Sequence, residues 1–266
     1  MTKRALCVGI NNYPGTGDDL SGCVNDAKAW AALLIDHYGF QRRSVRVLLD
    51  KQATHEAIVD GVKKLVRGAK AGDVLVFTNS SHGTYVADED SDEPGYDEAL
   101  CPWDAKKKQP LIDDQLRQRF SRVPSGVHLT VILDSCFSGT GTRLWPGRQE
   151  GPARRARFLS PKKLGRRVIN TRTATRRTPS MPESRMHEVL LAGCSDQQES
   201  YDVDFPGSAH GALTYYALKA ITDADYKITY EQLHAKTKAA LKANGFGDQT
   251  PQLEGKASNK KRKVFT

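Results

Sequence analysis

Two apolar runs along the chain stop abruptly on a reactive side chain. Val131-Ile132-Leu133-Asp134-Ser135-Cys136 ends in a thiol, and Val74-Leu75-Val76-Phe77-Thr78-Asn79-Ser80-Ser81-His82 ends in an imidazole followed by Gly83. Both are short and rich in aliphatic and β-branched residues, so both read as buried strands. Around them the apolar spacing alternates between a period of two and a period of 3.6. Residues 4–10 form a first strand, broken by Asn11-Asn12-Tyr13-Pro14-Gly15. A helix over 24–37 sets Ala27, Trp30, Ala31 and Leu34 on one face and ends before Gly39. Residues 44–50 alternate as a second strand. Residues 54–70 read as a helix with Thr54 as N-cap and Ile58, Val62, Leu65 and Val66 facing inward. Further on come a strand over 188–193, helices over 211–222 and 229–244, and a closing strand near Leu253. Strand–helix–strand alternation predicts an α/β fold with a mostly parallel sheet and right-handed crossovers.

In such sheets reactive groups collect at the carboxyl ends of strands, where backbone pairing stops and loops open a crevice. Cys136 and His82 both stand at such exits. A thiol becomes a strong nucleophile once its proton is taken, and an imidazole titrating near neutrality suits that task. The residues therefore suggest a Cys136/His82 dyad, with the backbone amides of Gly83 and Cys136 facing a developing oxyanion. The alternative is a core thiol and a turn histidine without chemistry.

The chain of 266 residues suffices for one large α/β domain with a long insertion. No apolar N-terminal segment and no run of 18 apolar residues suggests secretion or membrane spanning. Five cysteines (Cys7, Cys23, Cys101, Cys136, Cys194) lack metal-ligand spacing, and reduced thiols in the cytoplasm are the simplest reading, with Cys194 as packing.

His82-Gly83, Asp134-Ser135-Cys136-Phe137-Ser138-Gly139 and the opening Ala5-Leu6-Cys7-Val8-Gly9-Ile10-Asn11 together resemble the caspase-like cysteine peptidases, in their metacaspase and prokaryotic caspase-homologue (orthocaspase) branch. The resemblance runs from residue 4 to about 255. It departs from the usual wording at Ser81, where Gly is common, and at Phe137, where His is common, and neither change is expected to abolish activity. The resemblance implies a caspase-like three-layer sandwich whose central, mostly parallel sheet of about six strands is flanked by helices. It implies a large portion over 1–142, a basic processing loop over 143–186 and a small portion over 187–266. Cys23, Asp26, Ser80 and Asp134 match in spacing the residues that line the primary specificity pocket. Two carboxylates there would attract a guanidinium or ammonium and repel an acidic side chain, so cleavage after Arg, then Lys, is expected. The expected mechanism is an acyl-enzyme hydrolysis needing no cofactor. Many members also bind calcium through aspartates that match Asp97, Asp113 and Asp114. A further acidic ligand of the family falls on Arg143, which leaves calcium dependence open.

Charge is distributed unevenly. An acidic cluster follows His82 (Asp88, Glu89, Asp90, Asp92, Glu93, Asp97, Glu98), whereas residues 143–185 hold eleven Arg and two Lys against Glu150 and Glu183. That segment alone carries +11 of a chain that totals +9, leaving −2 for everything else. Lacking periodicity, it reads as mobile. It could bind nucleic acid, act as a solvated linker, or be the loop cut during maturation. The absence of interleaved aromatics disfavours nucleic acid. Position and chemistry favour processing, because an Arg-accepting pocket beside an Arg-rich loop meets its own substrate at high effective concentration. Self-cleavage and cleavage by an upstream activating protease both fit. The expected partners are protein substrates with basic P1 residues, acting on a monomer with no membrane. The remaining alternative is a regulatory or nucleic-acid-binding protein on a protease-like scaffold. The tail Lys260-Lys261-Arg262-Lys263 reads as an exposed solubilising end.

Overall fold

Along the first strand, β1 (Lys3–Gly9), burial alternates between two cores: Ala5 and Cys7 face one side, Leu6 and Val8 the other. A strand apolar on both faces belongs in the middle of a layered α/β sheet. The structure, a computed structural model, describes residues 1–87, 95–137, 153–169, 175–176, 183–195 and 198–266. After β1 come α1 (Cys23–Tyr38), β2 (Val45–Leu49), α2 (His55–Val66) and β3 (Val74–Ser80). A hairpin region follows, with β4 (Gly83–Ala87), β5 (Gly95–Leu100), β6 (Leu111–Ile112) and α3 (Asp113–Phe120). The chain returns through β7 (His128–Asp134), β8 (Arg154–Ala156), β9 (Thr175–Arg176) and β10 (Glu188–Ala192). It closes with β11 (Tyr201–Phe205), β12 (Ser208–Gly211), α4 (Ala212–Asp223), α5 (Tyr230–Ala243) and β13 (Gln252–Glu254).

The main sheet has six strands in the order β13-β10-β7-β3-β1-β2, all parallel except β13. Helices α2 and α3 cover one face through Ile58, Val62, Leu65, Leu116 and Phe120. Helices α1, α4 and α5 cover the other through Trp30, Leu34, Leu213, Ile221 and Leu233. This is the three-layer sandwich expected from the sequence. Two smaller sheets sit at the carboxyl edge of the main one: β4-β5-β6, with β9 beside β5, and β12-β11-β8. Thr54 caps α2 as expected, accepting from the Ala57 amide.

One expectation holds in part and one fails. In the basic tail Lys261 and Lys263 are exposed and Lys260 and Arg262 half-buried, but the residues just beyond, Val264 and Phe265, are fully buried, with Phe265 edge-on to Trp30. The basic segment is packed over its described part, because Leu159 and Leu164 enter the core and β8 pairs with β11. Among the described residues no helix is long and apolar enough to cross a membrane.

Candidate functional site

Register brings the thiol and the imidazole to one edge. Strands β3 and β7 pair in parallel with Ser80 opposite Asp134, so His82 and Cys136 each emerge two residues beyond matched strand ends. The His82 amide donates to the Tyr13 hydroxyl (2.9 Å), and its ring leans on the Tyr13 ring. His82 Nε2 lies 2.7 Å from the Asp18 carbonyl oxygen. A carbonyl only accepts, so Nε2 carries the hydrogen and Nδ1 presents the lone pair. Nδ1 is buried with no hydrogen-bond partner. Burial pushes His82 down to about 4, against the opposing pull of the Asp18 carbonyl, so the ring is neutral throughout the ordinary pH range.

Cys136 is fully buried, whereas the sequence suggested a thiol delivered to an open surface. Its Sγ accepts from the Ser200 amide (2.6 Å) and lies 3.1 Å from the Ser200 carbonyl oxygen. The expected bond between thiol and imidazole is not made in this arrangement, since Nε2 is engaged by Asp18 and Nδ1 by nothing.

The reason for the burial is the chain itself. Residues 154–159 run through the cleft as an extended peptide. β8 pairs antiparallel with β11, setting Ala156 opposite Tyr201 and Arg154 opposite Val203. The Arg157 amide donates to the Ser200 carbonyl (2.9 Å). The Arg157 carbonyl oxygen accepts from both the Gly83 amide (2.9 Å) and the Cys136 amide (3.2 Å). Beyond it, the Leu159 amide donates to the Gly83 carbonyl (2.9 Å). Gly83 has no room for a side chain: a Cβ there would stand 2.0 Å from the Cys136 carbonyl oxygen.

The Arg157 guanidinium is wholly buried among three carboxylates. Nη2 reaches Asp26 Oδ2 at 2.7 Å and Asp202 Oδ1 at 2.9 Å, while Nη1 lies 3.3 Å from Asp134 Oδ2 and donates to the Asp134 carbonyl. The carboxylates are themselves anchored. Asp134 accepts from the Ser200 hydroxyl and from the amide and hydroxyl of Thr214. Asp26 accepts from the Gly211 amide and contacts His210 Nδ1 (2.9 Å), and Asp202 accepts from the amides of Ser21 and Gly22. Burial pushes the Asp134 carboxyl up and the Arg157 charge pulls it back, while the surrounding carboxylates hold the guanidinium firmly protonated.

Of the residues expected to line a specificity pocket, Asp26 and Asp134 touch the guanidinium directly. Cys23, buried at the start of α1, lies close enough for the Arg157 charge to act on its thiol. Ser80 is buried at the end of β3, paired across the sheet with Asp134, and its carbonyl accepts from the Ile10 amide. Ser200 lies in the stretch after β10 that resembles the family's substrate-lining turn, whereas sequence reasoning missed Asp202, Thr214, His210 and the Asp18 carbonyl. Alternation does not single out Asp202, because Asp202 and Asp204 lie two residues apart on the same face of β11 and only Asp202 is buried.

The aspartates matched to calcium stand on two neighbouring elements. Asp97 is buried on β5, while Asp113 and Asp114 open α3, where Asp113 pairs with Arg117 (3.0 Å) and caps the Asp114 amide. Among the described residues no three His, Cys, Asp or Glu side chains gather as a metal site. No step is derived through the ion. Asp88, Glu89, Asp90, Asp92, Glu93 and Arg143 lie outside the described residues.

Comparison with known proteins gives this geometry a family. The model of the metacaspase, peptidase C14 domain matches residues 3–144. Metacaspase-1 of Cryptococcus neoformans is 32% identical over 94% of this chain and 62% of its own length, and Metacaspase-7 of Arabidopsis thaliana is 41% identical over 52% of this chain and 35% of its own. The chain thus spans about three fifths of the length of the former. A crystal structure of a Geobacter sulfurreducens protein superposes with a TM-score of 0.73 at 25% identity, covering 100% of this chain and 99% of that one. Caspase-1 of Spodoptera frugiperda shares the fold at a TM-score of 0.59 and 11% identity, over 95% of this chain and 86% of that one. The fold and cleft define a caspase-like protein. The chain belongs to the metacaspase family of cysteine peptidases.

Proposed function

We propose that the chain is a cysteine endopeptidase that cleaves after arginine and, less well, lysine, and that it is made as a zymogen whose cleft is filled by its own basic segment. One observation carries the reading. Arg157 lies as a substrate would, its side chain between Asp26, Asp134 and Asp202 and its carbonyl oxygen between the amides of Gly83 and Cys136. A guanidinium bridges several carboxylates at once through its planar fork, whereas an ammonium offers a single point charge, so Arg exceeds Lys.

In the step so proposed, the Cys136 thiol turns from Ser200, gives its proton to His82 Nδ1 and attacks the carbonyl carbon. The Gly83 and Cys136 amides hold the oxyanion. The amine departs with the proton from His82, leaving a thioester on Cys136. Water, deprotonated by His82, then releases the carboxylate and restores the thiol. Applied to the docked segment, the same step cuts the peptide bond between Arg157 and Phe158. A different protease cutting elsewhere in 143–185 would free the cleft as well. A reducing compartment such as the cytoplasm suits a chain whose five cysteines are all free thiols.

The test is a panel of fluorogenic peptides ending in Arg, Lys or Asp, offered to wild type and Cys136→Ala, with calcium and with a chelator. The expected order is Arg above Lys, with Asp uncut and the variant silent. Cleavage after Asp, or equal activity in Cys136→Ala, contradicts the reading.

A further inference from the structure

Three residues before Arg157 a second arginine is also held, by other means. The Arg154 guanidinium carbon stands 4.7 Å from the centre of the Tyr201 ring and 5.8 Å from that of Phe246. Its Nη1 donates to the Gly245 carbonyl (3.2 Å) and lies 3.4 Å from Asp248 Oδ1. Asp248 is fixed from below by the Tyr201 hydroxyl, which donates to Oδ2 at 2.6 Å. The Glu199 carboxyl is near enough for the Arg154 charge to oppose the effect of burial on it. Aromatic faces, a carbonyl and carboxylates around one cation form a recognised way of holding a basic group. Arg155, between the two, is different: it is exposed and, among the described residues, reaches the Asp19 carbonyl alone.

Tyr201 belongs to β11, and Phe246 and Asp248 to the turn after α5, so none of them comes from the basic segment. Tyr201 and Phe246 are themselves buried against the α4 side of the third core cluster. The cage therefore persists when the segment leaves. We propose that Tyr201, Phe246 and Asp248 form a second cation-reading subsite, so that the cleft recognises peptides with a basic residue three positions before the arginine that enters the carboxylate pocket. This rests on the protease reading and adds a sequence requirement to it.

Two measurements separate the subsite from that reading. On the self-processed wild type, the peptide Arg-Ala-Ala-Arg-coumarylamide should be cut with kcat/KM about tenfold above Ala-Ala-Ala-Arg-coumarylamide, chiefly through KM. That ratio should fall toward about two in Asp248→Asn and in Phe246→Ala. A ratio near one in wild type, with both peptides cut, overturns the subsite and leaves the protease reading standing. If neither peptide is cut, the protease reading fails, and the second measurement still decides the cage. In uncut Cys136→Ala, amide hydrogen exchange at Arg157 should speed up about tenfold on adding Arg154→Ala, and by less than about twofold on adding Arg155→Ala. Equal responses to the two substitutions overturn the proposal.

Discussion

Arg157 brings one positive charge to three carboxylates inside the protein, so the docked segment offsets part of the charge of a strongly anionic site. Taking out one partner of a buried ion pair leaves charge without compensation, and such losses run to about 3–5 kcal/mol. On a Cys136→Ala background, Arg157→Gln should therefore lower the unfolding free energy read from urea titration by an amount of that order and shift the midpoint down accordingly, with Arg157→Lys between the two. An unchanged midpoint would contradict the role given to the guanidinium. His82 supports a prediction of a different kind. The groups facing it are the Asp18 carbonyl, the Tyr13 ring and Arg157, and burial holds the docked imidazole at about 4. A base must be neutral to accept a proton, and His82 is protonated only as pH falls through that value. Self-cleavage should stay level from pH 8 to about 5 and decline only below, whereas an ordinary imidazole would fade from about 6.5. Rates of band conversion across pH check this, and a midpoint near 6.5 contradicts it.

At the scale of elements, the site depends on β4 starting where it does. Gly83 opens that strand, and its amide and carbonyl both bond the docked segment, at Arg157 and Leu159. Gly83→Ala would press a methyl onto the Cys136 carbonyl, so self-cleavage should fall by at least about a hundredfold, in line with losing an oxyanion donor. Gel densitometry reads it, and a rate within tenfold of wild type would contradict the placement. Elements differed in how far they could be read from the chain. The parallel strands and the long helices are legible because burial on one or two faces writes a period into them, and α1, α2, β3, β7, α4 and α5 all stand within a few residues of where periodicity puts them. The β4-β5-β6 and β11-β12 sheets are short, and their strands carry acidic or small residues that mimic loops. Cys136 and His82 stand out as strand ends, and Asp26 and Asp134 through a family pattern. Arg157 could not be found, because it is one arginine among eleven in its segment and its partners lie 23, 45 and 131 residues away.

For the whole molecule, a break after Arg157 would separate two chains covalently but not physically. Strand β10 lies between β7 and β13 in the main sheet, so the later portion supplies its edge, and α4 and α5 complete one covering layer. Leu159, just past the break, is fully buried, and a leucine so placed contributes about 1.5–3 kcal/mol. The cut protein should elute from gel filtration as the intact one does while giving two bands on a denaturing gel; separate elution of the fragments would contradict a shared core. The central claim is that the cleft holds its own first substrate, and intact mass spectrometry of wild type beside Cys136→Ala tests it most directly. Incubated wild type should yield two species whose masses place the break between Arg157 and Phe158, and Cys136→Ala should remain whole. A wild type that stays whole, a break elsewhere, or fragmentation of Cys136→Ala at the same bond would contradict it.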